Sequence, residues 1–509
     1  MADITIVNLN MLFLRHMDGI ERERHLPLGP LYLAAALEQA GLEVDLRDYQ
    51  QCDADDPFSR QAIADFCQDP APIIGLSCMA NLLPFTILAA RELKERYPDR
   101  LVVLGGVGAK SVERRVLEAF PWIDAVAHGE GEKTVVELVR AHQAGRPLSE
   151  VRGLALRDGE RVLFNAPQER LVALDAAPLP AYHHVDLSAY EGYGMVSSRG
   201  CPYPCTFCSV APVWNHESFT RSPQGIVDEM RFLHERAGVG LFLFQDEFFV
   251  SSKRNVMQFC EALRRAELKV MWKAFGRVNL TDTETMDAMA ESGCVEIRYG
   301  IESASAAVLE RTRKGFTTDQ AASVVAEAVK RFPRVDTFFV WGFPFETMDD
   351  FYQTLFQMIS FRLMGTRVLP SLLCYLPQTA IYEEYRGDPK FEFCPHLLPE
   401  YMLTGHEVCD ASEIRIDDEH GWVFDLIRAH PEIFTGFYHY DLEGNVLPKM
   451  EVLREHGFYA APDQTARAAT ESCGAHSPRV GEAFGRQLLT RPDGPPAGAL
   501  SAALDQSAL

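Results

Sequence analysis

The stretch Ser198-Arg199-Gly200-Cys201-Pro202-Tyr203-Pro204-Cys205-Thr206-Phe207-Cys208 places three cysteines at a C-x3-C-x2-C spacing directly after a β-like run. An iron–sulfur cubane normally takes four cysteine ligands, so a loop that offers three leaves one iron open to a ligand that is not protein. The competing reading is a structural Cys3His zinc site closed by His216. Structural zinc usually draws its cysteines from paired short spacings, whereas Cys201, Cys205 and Cys208 share one tight turn with Phe207 inside it. The spacing therefore favours a cluster over zinc.

The triplet resembles the signature of the radical S-adenosylmethionine (SAM) superfamily. That resemblance implies a [4Fe–4S] cluster on Cys201, Cys205 and Cys208, with the fourth iron chelated by the amino and carboxylate groups of SAM. An electron passed through such a cluster breaks the sulfonium bond and releases a 5′-deoxyadenosyl radical.

From the run just before the triplet onward, strands Met195 to Ser198, Gly240 to Phe244, Val270 to Phe275, Cys294 to Tyr299, Val335 to Val340 and Val368 to Leu373 alternate with helices near 223–237, 252–266, 282–292, 303–331 and 348–363. Six βα units suit the partial, TIM-like (β/α)6 barrel of radical SAM proteins, whose function sits at strand carboxyl ends. On the family resemblance, Gln245, Asp246 and Glu247 stand where a Gly-Gly-Glu-like turn holds the SAM amino group. By the same resemblance Glu302 is the candidate for the SAM ribose or amino group, and Gly342 lies near adenine. Lys273, Arg277 and Arg298 are basic candidates for carboxylate or phosphate contacts, with structural ion pairs as the alternative.

Upstream, apolar strands and helices alternate from Ile4 to Gln143 in five βα units, which predicts a doubly wound parallel sheet with ligands beyond its strand ends. The turns there run Gly75 to Asn81, Gly105 to Gly108 and His128 to Glu132. Together they resemble the cobalamin-binding domain that precedes many radical SAM barrels. That likeness implies Ser77, Gly105 and Gly106 beside the dimethylbenzimidazole tail, and Gly129, Glu130, Gly131 and Glu132 near the corrin. The Asp-x-His-x-x-Gly sequence that supplies a cobalt-ligating histidine is absent from the loop Asn10 to Gly19. His16 and His25 read as surface-loop histidines.

The expected organisation is an α/β chain: a Rossmann-like cobalamin-binding domain over 1–150, a linker with a hairpin over 151–185, the barrel over 186–374, a cap over 375–457 and a disordered tail over 458–509. The cap aromatics, among them Tyr382, Phe391, Tyr401, Trp422, Phe434 and Tyr440, read as core.

The 509 residues carry 49 Lys and Arg against 72 Asp and Glu, a net charge of −23. This acidity opposes the counterion-driven binding of nucleic acid and disfavours a tRNA methylthiotransferase. No apolar run reaches bilayer length and no signal peptide opens the chain, so a cytoplasmic location without membrane contact is expected. The resemblance as a whole implies a cobalamin-dependent radical SAM methylase. Its substrate would be an unactivated carbon of a small molecule, and its reductant a donor such as flavodoxin or ferredoxin. The alternative is a cyclase or rearrangement enzyme without methyl transfer, like the anaerobic Mg-protoporphyrin monomethyl ester cyclases; an inert-barrel cobalamin sensor is disfavoured by the intact triplet.

Overall fold

The structure is a computed structural model that describes residues 2–9, 24–159, 161–394, 397 and 421–459. The amino-terminal alternation folds as expected into β1 (Ile4–Asn8), α1 (Leu28–Gln39), β2 (Val44–Asp48), α2 (Arg60–Phe66), β3 (Ile73–Ser77), α3 (Leu83–Arg96), β4 (Leu101–Gly105), α4 (Glu113–Ala119), β5 (Ala125–Ala127) and α5 (Gly131–Gln143). The predicted hairpin forms as β6 (Leu154–Asp158) and β7 (Arg161–Phe164). It is more than a linker: β6 pairs antiparallel with β5, so the sheet has seven strands in the order β2-β1-β3-β4-β5-β6-β7. Pairing there buries an edge that β5, three residues long, would otherwise leave open. His16, Tyr401 and nearly all of the expected tail lie outside the described residues.

The second sheet has the order β15-β14-β13-β12-β11-β8, all parallel. Its strands are β8 (Gly194–Met195), β11 (Leu241–Phe244), β12 (Met271–Gly276), β13 (Cys294–Glu302), β14 (Arg334–Trp341) and β15 (Arg367–Leu372), while β9 (Ser198–Arg199) and β10 (Phe219–Thr220) make a small ribbon beside them. The helices between are α6 (Val210–Val213), α7 (Pro223–Ala237), α8 (Lys253–Arg265), α9 (Thr283–Glu291), α10 (Ala306–Arg311), α11 (Thr318–Arg331) and α12 (Met348–Leu363). Hydroxyl or carboxylate caps start most of them: Ser222, Ser252, Asp282, Ser305, Thr317 and Thr347 each accept from a backbone amide of the first turn. These caps sharpen each strand-to-helix turn at the end of the barrel where function is expected.

One helix was expected over 303–331, and two are present. Arg313 and Gly315 adopt positive φ, and the Thr317/Gln320 capping box starts α11 afresh. The break creates a loop at 312–317 that reaches the cysteine loop, with consequences for the site below.

The segment after β15 comprises α13 (Ala380–Tyr385), β16 (Phe391–Phe393), α14 (Trp422–Ala429), β17 (Tyr438–Tyr440) and α15 (Leu447–Glu455). Part of it builds a small core against the barrel end, where Tyr375, Ile381 and Tyr440 pack with Val308, Phe343 and Leu373. Val423, Phe424, Ile427, Phe434 and Phe437 enter the core of the first sheet, whereas Val446, Met450, Leu453, Phe458 and Tyr459 enter that of the barrel. Tyr459 accepts a hydrogen bond from Trp341 Nε1 at 2.9 Å, so ordered chain extends past the point where the tail was expected to begin. The described aromatics pack into cores, as read from the sequence, and those cores are shared between the segment itself and both sheets.

A buried ion pair ties α15 to the turn after β14. Lys449 Nζ stands 2.8 Å from Glu346 Oε2 and also donates to the Glu346 carbonyl and to Asn445; Lys449 is 1% exposed. Removing one partner of such a pair strands the other charge. Lys449→Met is therefore expected to lower unfolding free energy by about 3–5 kcal/mol in urea titration, and Lys449→Met with Glu346→Gln to recover most of that loss.

Candidate functional site: a three-cysteine loop at the barrel mouth

The cysteine loop leaves β9 through Gly200, whose φ of +88° no side chain adopts comfortably and where a Cβ would collide with the Glu217 carbonyl. The loop is then fastened on two sides. Thr206 N donates to the Thr312 carbonyl at 3.2 Å, and the Thr206 carbonyl accepts from Ile381 N at 2.9 Å. Phe207 packs edge-on to Phe343 at 5.9 Å. Tyr203 lies under the Arg277 guanidinium, 3.6 Å from its ring centroid.

All three thiols are free and partly accessible. Burial pushes the Cys208 thiol up to about 12 and raises Cys201, with Arg277 favouring the Cys201 thiolate and Lys314 the Cys208 thiolate. A cation must arrive before these groups lose their protons. Tetrahedral zinc would need its sulfurs about 3.8 Å apart. Among the described residues, the group whose ligand atoms approach within 4.8 Å of one another is Glu38, His183 and His184, not the cysteines with His216. Three free thiols on one loop are the donor set of a cluster that keeps one iron open to a ligand other than protein.

The residues expected around the cysteines divide by what already holds them. Asp246 is 1% exposed and its carboxylate accepts from Ser197 N and Ser197 Oγ, both at 2.9 Å, and from Ser198 N. It is thus occupied with the strand that launches the cysteine loop, and is not open to a ligand's amino group as its position had implied. Burial pushes its carboxyl up to about 6, opposed by the two serines. Glu247 is solvent-accessible in a recess, where protein on its other sides pushes its carboxyl up, and it accepts from Trp214 Nε1 at 3.3 Å. Gln245 is half-buried and packs against Gly194, with its backbone in the sheet.

Glu302 ends β13 after a register shift at Gly300, at a φ of +67° that is unfavourable for its residue type. Its Oε1 accepts from Lys314 Nζ at 2.9 Å. Lys314 comes from the break between α10 and α11 and was not foreseen; the signals were Lys314-Gly315 followed by the Thr317/Gln320 box. The carbonyl of Lys314 accepts from Arg277 Nη2, while Arg277 Nε is buried without a hydrogen-bond partner. Gly342 donates its N–H to Glu346 Oε2 at 3.0 Å and accepts from Asn445. Lys273 and Arg298 are ion-paired to Glu296. Burial would raise Glu296, but Lys273, Arg298 and Arg334 outweigh it and hold its carboxyl at about 2.

In the first sheet, Asn8, Ser77 and Gly105 lie side by side at the strand ends. Gly105 and Gly129 each face open space, as a ligand-lining turn requires. Gly106 and Gly131 serve internal packing instead: a Cβ on Gly106 would lie 2.5 Å from the Cys78 carbonyl oxygen, and one on Gly131 2.8 Å from Leu33. The carboxylates of Glu130 and Glu132, expected near a corrin, are both taken by arginine. Arg199 Nη1 meets Glu130 Oε1 at 3.0 Å and Arg199 Nη2 meets Glu132 Oε1 at 2.7 Å, while Arg170 Nε meets Glu130 Oε2 at 3.2 Å. Burial works against the Arg199 charge, and Glu132 and Glu130 more than restore it. The residue two before Cys201 is thereby bolted to the β5–α5 turn of the other sheet. Sequence reasoning missed this clamp because its partners are 67 and 69 positions apart. His25, expected on the surface, is half-buried and pairs its backbone with Gly192 at the same seam.

Two family models match: the radical SAM superfamily over residues 195–358 and the B12 binding domain over residues 22–139. An uncharacterized methyltransferase, PH0819 of Pyrococcus horikoshii, is 30% identical over 334 residues, covering 65% of this chain and 72% of that protein. The anaerobic magnesium-protoporphyrin IX monomethyl ester cyclase of Cereibacter sphaeroides is 29% identical over 412 residues, 75% of this chain and 65% of that protein. Among solved structures, the radical SAM methyltransferase TsrM of Kitasatospora setae, with cobalamin and a [4Fe–4S] cluster bound, shares the fold at a TM-score of 0.63 and 19% identity over 77% of each chain. The cobalamin-dependent SAM radical enzyme OxsB does so at 0.63 and 18%, over 92% of this chain and 70% of its own. With a three-thiol loop on the barrel and a B12 binding sheet clamped against it, the chain is a member of the radical SAM superfamily, in the branch whose barrel follows a cobalamin-binding domain.

Proposed function

We propose that this enzyme methylates an unactivated carbon of a small-molecule intermediate, with Cys201, Cys205 and Cys208 as the protein ligands of its cluster. The observation that supports this reading is the Arg199 clamp, which ties the residue launching the three-cysteine loop to the β5–α5 turn of the B12 binding sheet. When bound, the cluster, SAM and cobalamin supply the electron, the hydrogen-abstracting radical and the transferable methyl group.

The chain's own residues bind and orient. Glu302, held by Lys314, offers an acceptor to the SAM amino group or ribose, and Arg277 holds a buried Nε–H without a protein partner that suits a carboxylate. Glu247 and Gln245 line the same mouth, whereas Gly342, expected near adenine, is buried with its backbone N–H and carbonyl taken by Glu346 and Asn445 and shapes the β14 turn instead. Ser77 and Gly105 line the pocket for the dimethylbenzimidazole tail, and Gly129 lies toward the corrin. Asp246 acts through the Ser197–Ser198 backbone and is a positioning residue. Residues 1–150 serve as the cobalamin domain and 186–374 as the barrel, with electrons supplied by a flavodoxin- or ferredoxin-like donor in the cytoplasm. Ring formation without methyl transfer is the second reading, favoured by the likeness to the protoporphyrin cyclase over three quarters of the chain. Among the described residues, no helix is long and apolar enough to cross a membrane.

Anaerobic reconstitution with iron, sulfide and hydroxocobalamin, followed by isotope tracing from methyl-labelled SAM, separates the two readings. A labelled product supports methylation; a dehydrogenated or ring-closed product without label supports the alternative. Alanine at Cys201, Cys205 or Cys208 is expected to abolish both the brown chromophore and deoxyadenosine release.

Arg199→Met is expected to leave corrin uptake measurable by absorbance while lowering methylated product per deoxyadenosine by about 100-fold, since small misplacements of reacting groups carry costs of that order. An unchanged ratio would show that the clamp does not align the two halves.

The pH response of Asp246 has a defined sign. Its folded carboxyl titrates at about 6 and an unfolded one near 3.9, so folding takes up a proton between these values. Its contribution to stability is present below about pH 4, is lost as pH rises to about 6 and is absent above. Asp246→Asn is expected to reduce the downward slope of unfolding free energy over this window by up to about 1.4 kcal/mol per pH unit, read from urea titrations of the cluster-free protein.

A further inference from the structure

Among the described residues, one set of metal-ligating side chains converges outside the barrel mouth. Glu38, in the last turn of α1, and His183 and His184, in the short turn Tyr182–His184, present ligand atoms that all lie within 4.8 Å of one another. Both imidazole Nε2 atoms stand 2.8 Å from the same oxygen, Glu38 Oε1. The two rings lie 4.6 Å apart, tilted by 39°.

Packing brings them together. The connector runs along α1: Ala181 N donates to the Leu31 carbonyl at 3.1 Å, and Ala181 packs on Ala34 and Ala35. Glu38 lies one helical turn beyond Ala34 on the same face, so the next residues of the connector pass over it. Tyr182 meanwhile turns the other way and hydrogen-bonds Glu229 of α7. The three ligands therefore span the seam between α1 and the segment that enters the barrel.

Two imidazole nitrogens and one carboxylate oxygen are the donor set of zinc and its first-row neighbours. Neutral imidazoles bind through the Nε2 lone pair with the proton on Nδ1. Slight burial would raise the Glu38 carboxyl, but its two histidine partners outweigh this and keep it an anion. His183 is 66% and Glu38 37% exposed, so an ion can enter from solvent and water can complete a tetrahedron.

We propose that Glu38, His183 and His184 form a zinc-type divalent metal site that clips α1 of the cobalamin-binding sheet to the connector leading into the barrel. The test uses the full chain with its cluster reconstituted, so that the three cysteines are already occupied. Zinc titration by calorimetry is expected to show one equivalent taken up, with a zinc-edge X-ray absorption spectrum of nitrogen and oxygen neighbours alone. Uptake is expected to disappear in His183→Ala/His184→Ala and to weaken in Glu38→Gln, while the brown chromophore and SAM cleavage persist and report an intact fold. Sulfur in the zinc shell, uptake that survives the double histidine substitution, or no uptake at all would each overturn the proposal; the last would leave a hydrogen-bonded triad.

Discussion

The pairing of Arg199 with Glu130 and Glu132 is the interaction on which the working geometry depends. Each sheet alone would present its strand ends to solvent. Arg199 sits between the strand that launches the cysteine loop and the loop itself, so its anchorage to the β5–α5 turn fixes the distance between the two candidate cofactor surfaces. Two carboxylates in a half-buried seam would repel each other, and one guanidinium answers both through its forked donors. Arg170, stacked on Trp214 and Phe219, repeats the arrangement one layer away.

Around that clamp the fold uses buried polar groups to hold a seam that apolar packing alone would leave free to slide. Asp48 receives Asn8, Gln50 and the Tyr190 hydroxyl, which links β1 and β2 to the connector. Tyr182 meets Glu229, itself paired with Arg221. The carboxyl-terminal segment adds a third tie by sending aromatic side chains into both cores. The result is a molecule whose two βα layers are joined by specific, directional contacts as well as by buried area.

Much of this was legible in the residues. Short apolar runs alternating with longer helical stretches located the strands and most of the helices of both sheets, because local propensity and burial agree there. The cysteine spacing put three thiols on one loop, since spacing on a single turn is a local property. What stayed hidden was long-range. The carboxylates of Asp246, Glu130 and Glu132 stood at the expected strand ends but are occupied by protein partners. Lys314 was concealed inside an expected long helix, because α10 and α11 share one helical periodicity and only the turn between them breaks it.

The sequence by itself therefore determined the alternation of elements, the two parallel sheets and the three-thiol loop, all of which depend on neighbours within about one element's length. Tertiary structure alone decided which charged side chains remain open to ligands. A carboxylate at a strand end is equally suited to an amine, a backbone amide or an arginine. Which of these it meets depends on how separate elements pack, and that information resides in no single stretch of the chain.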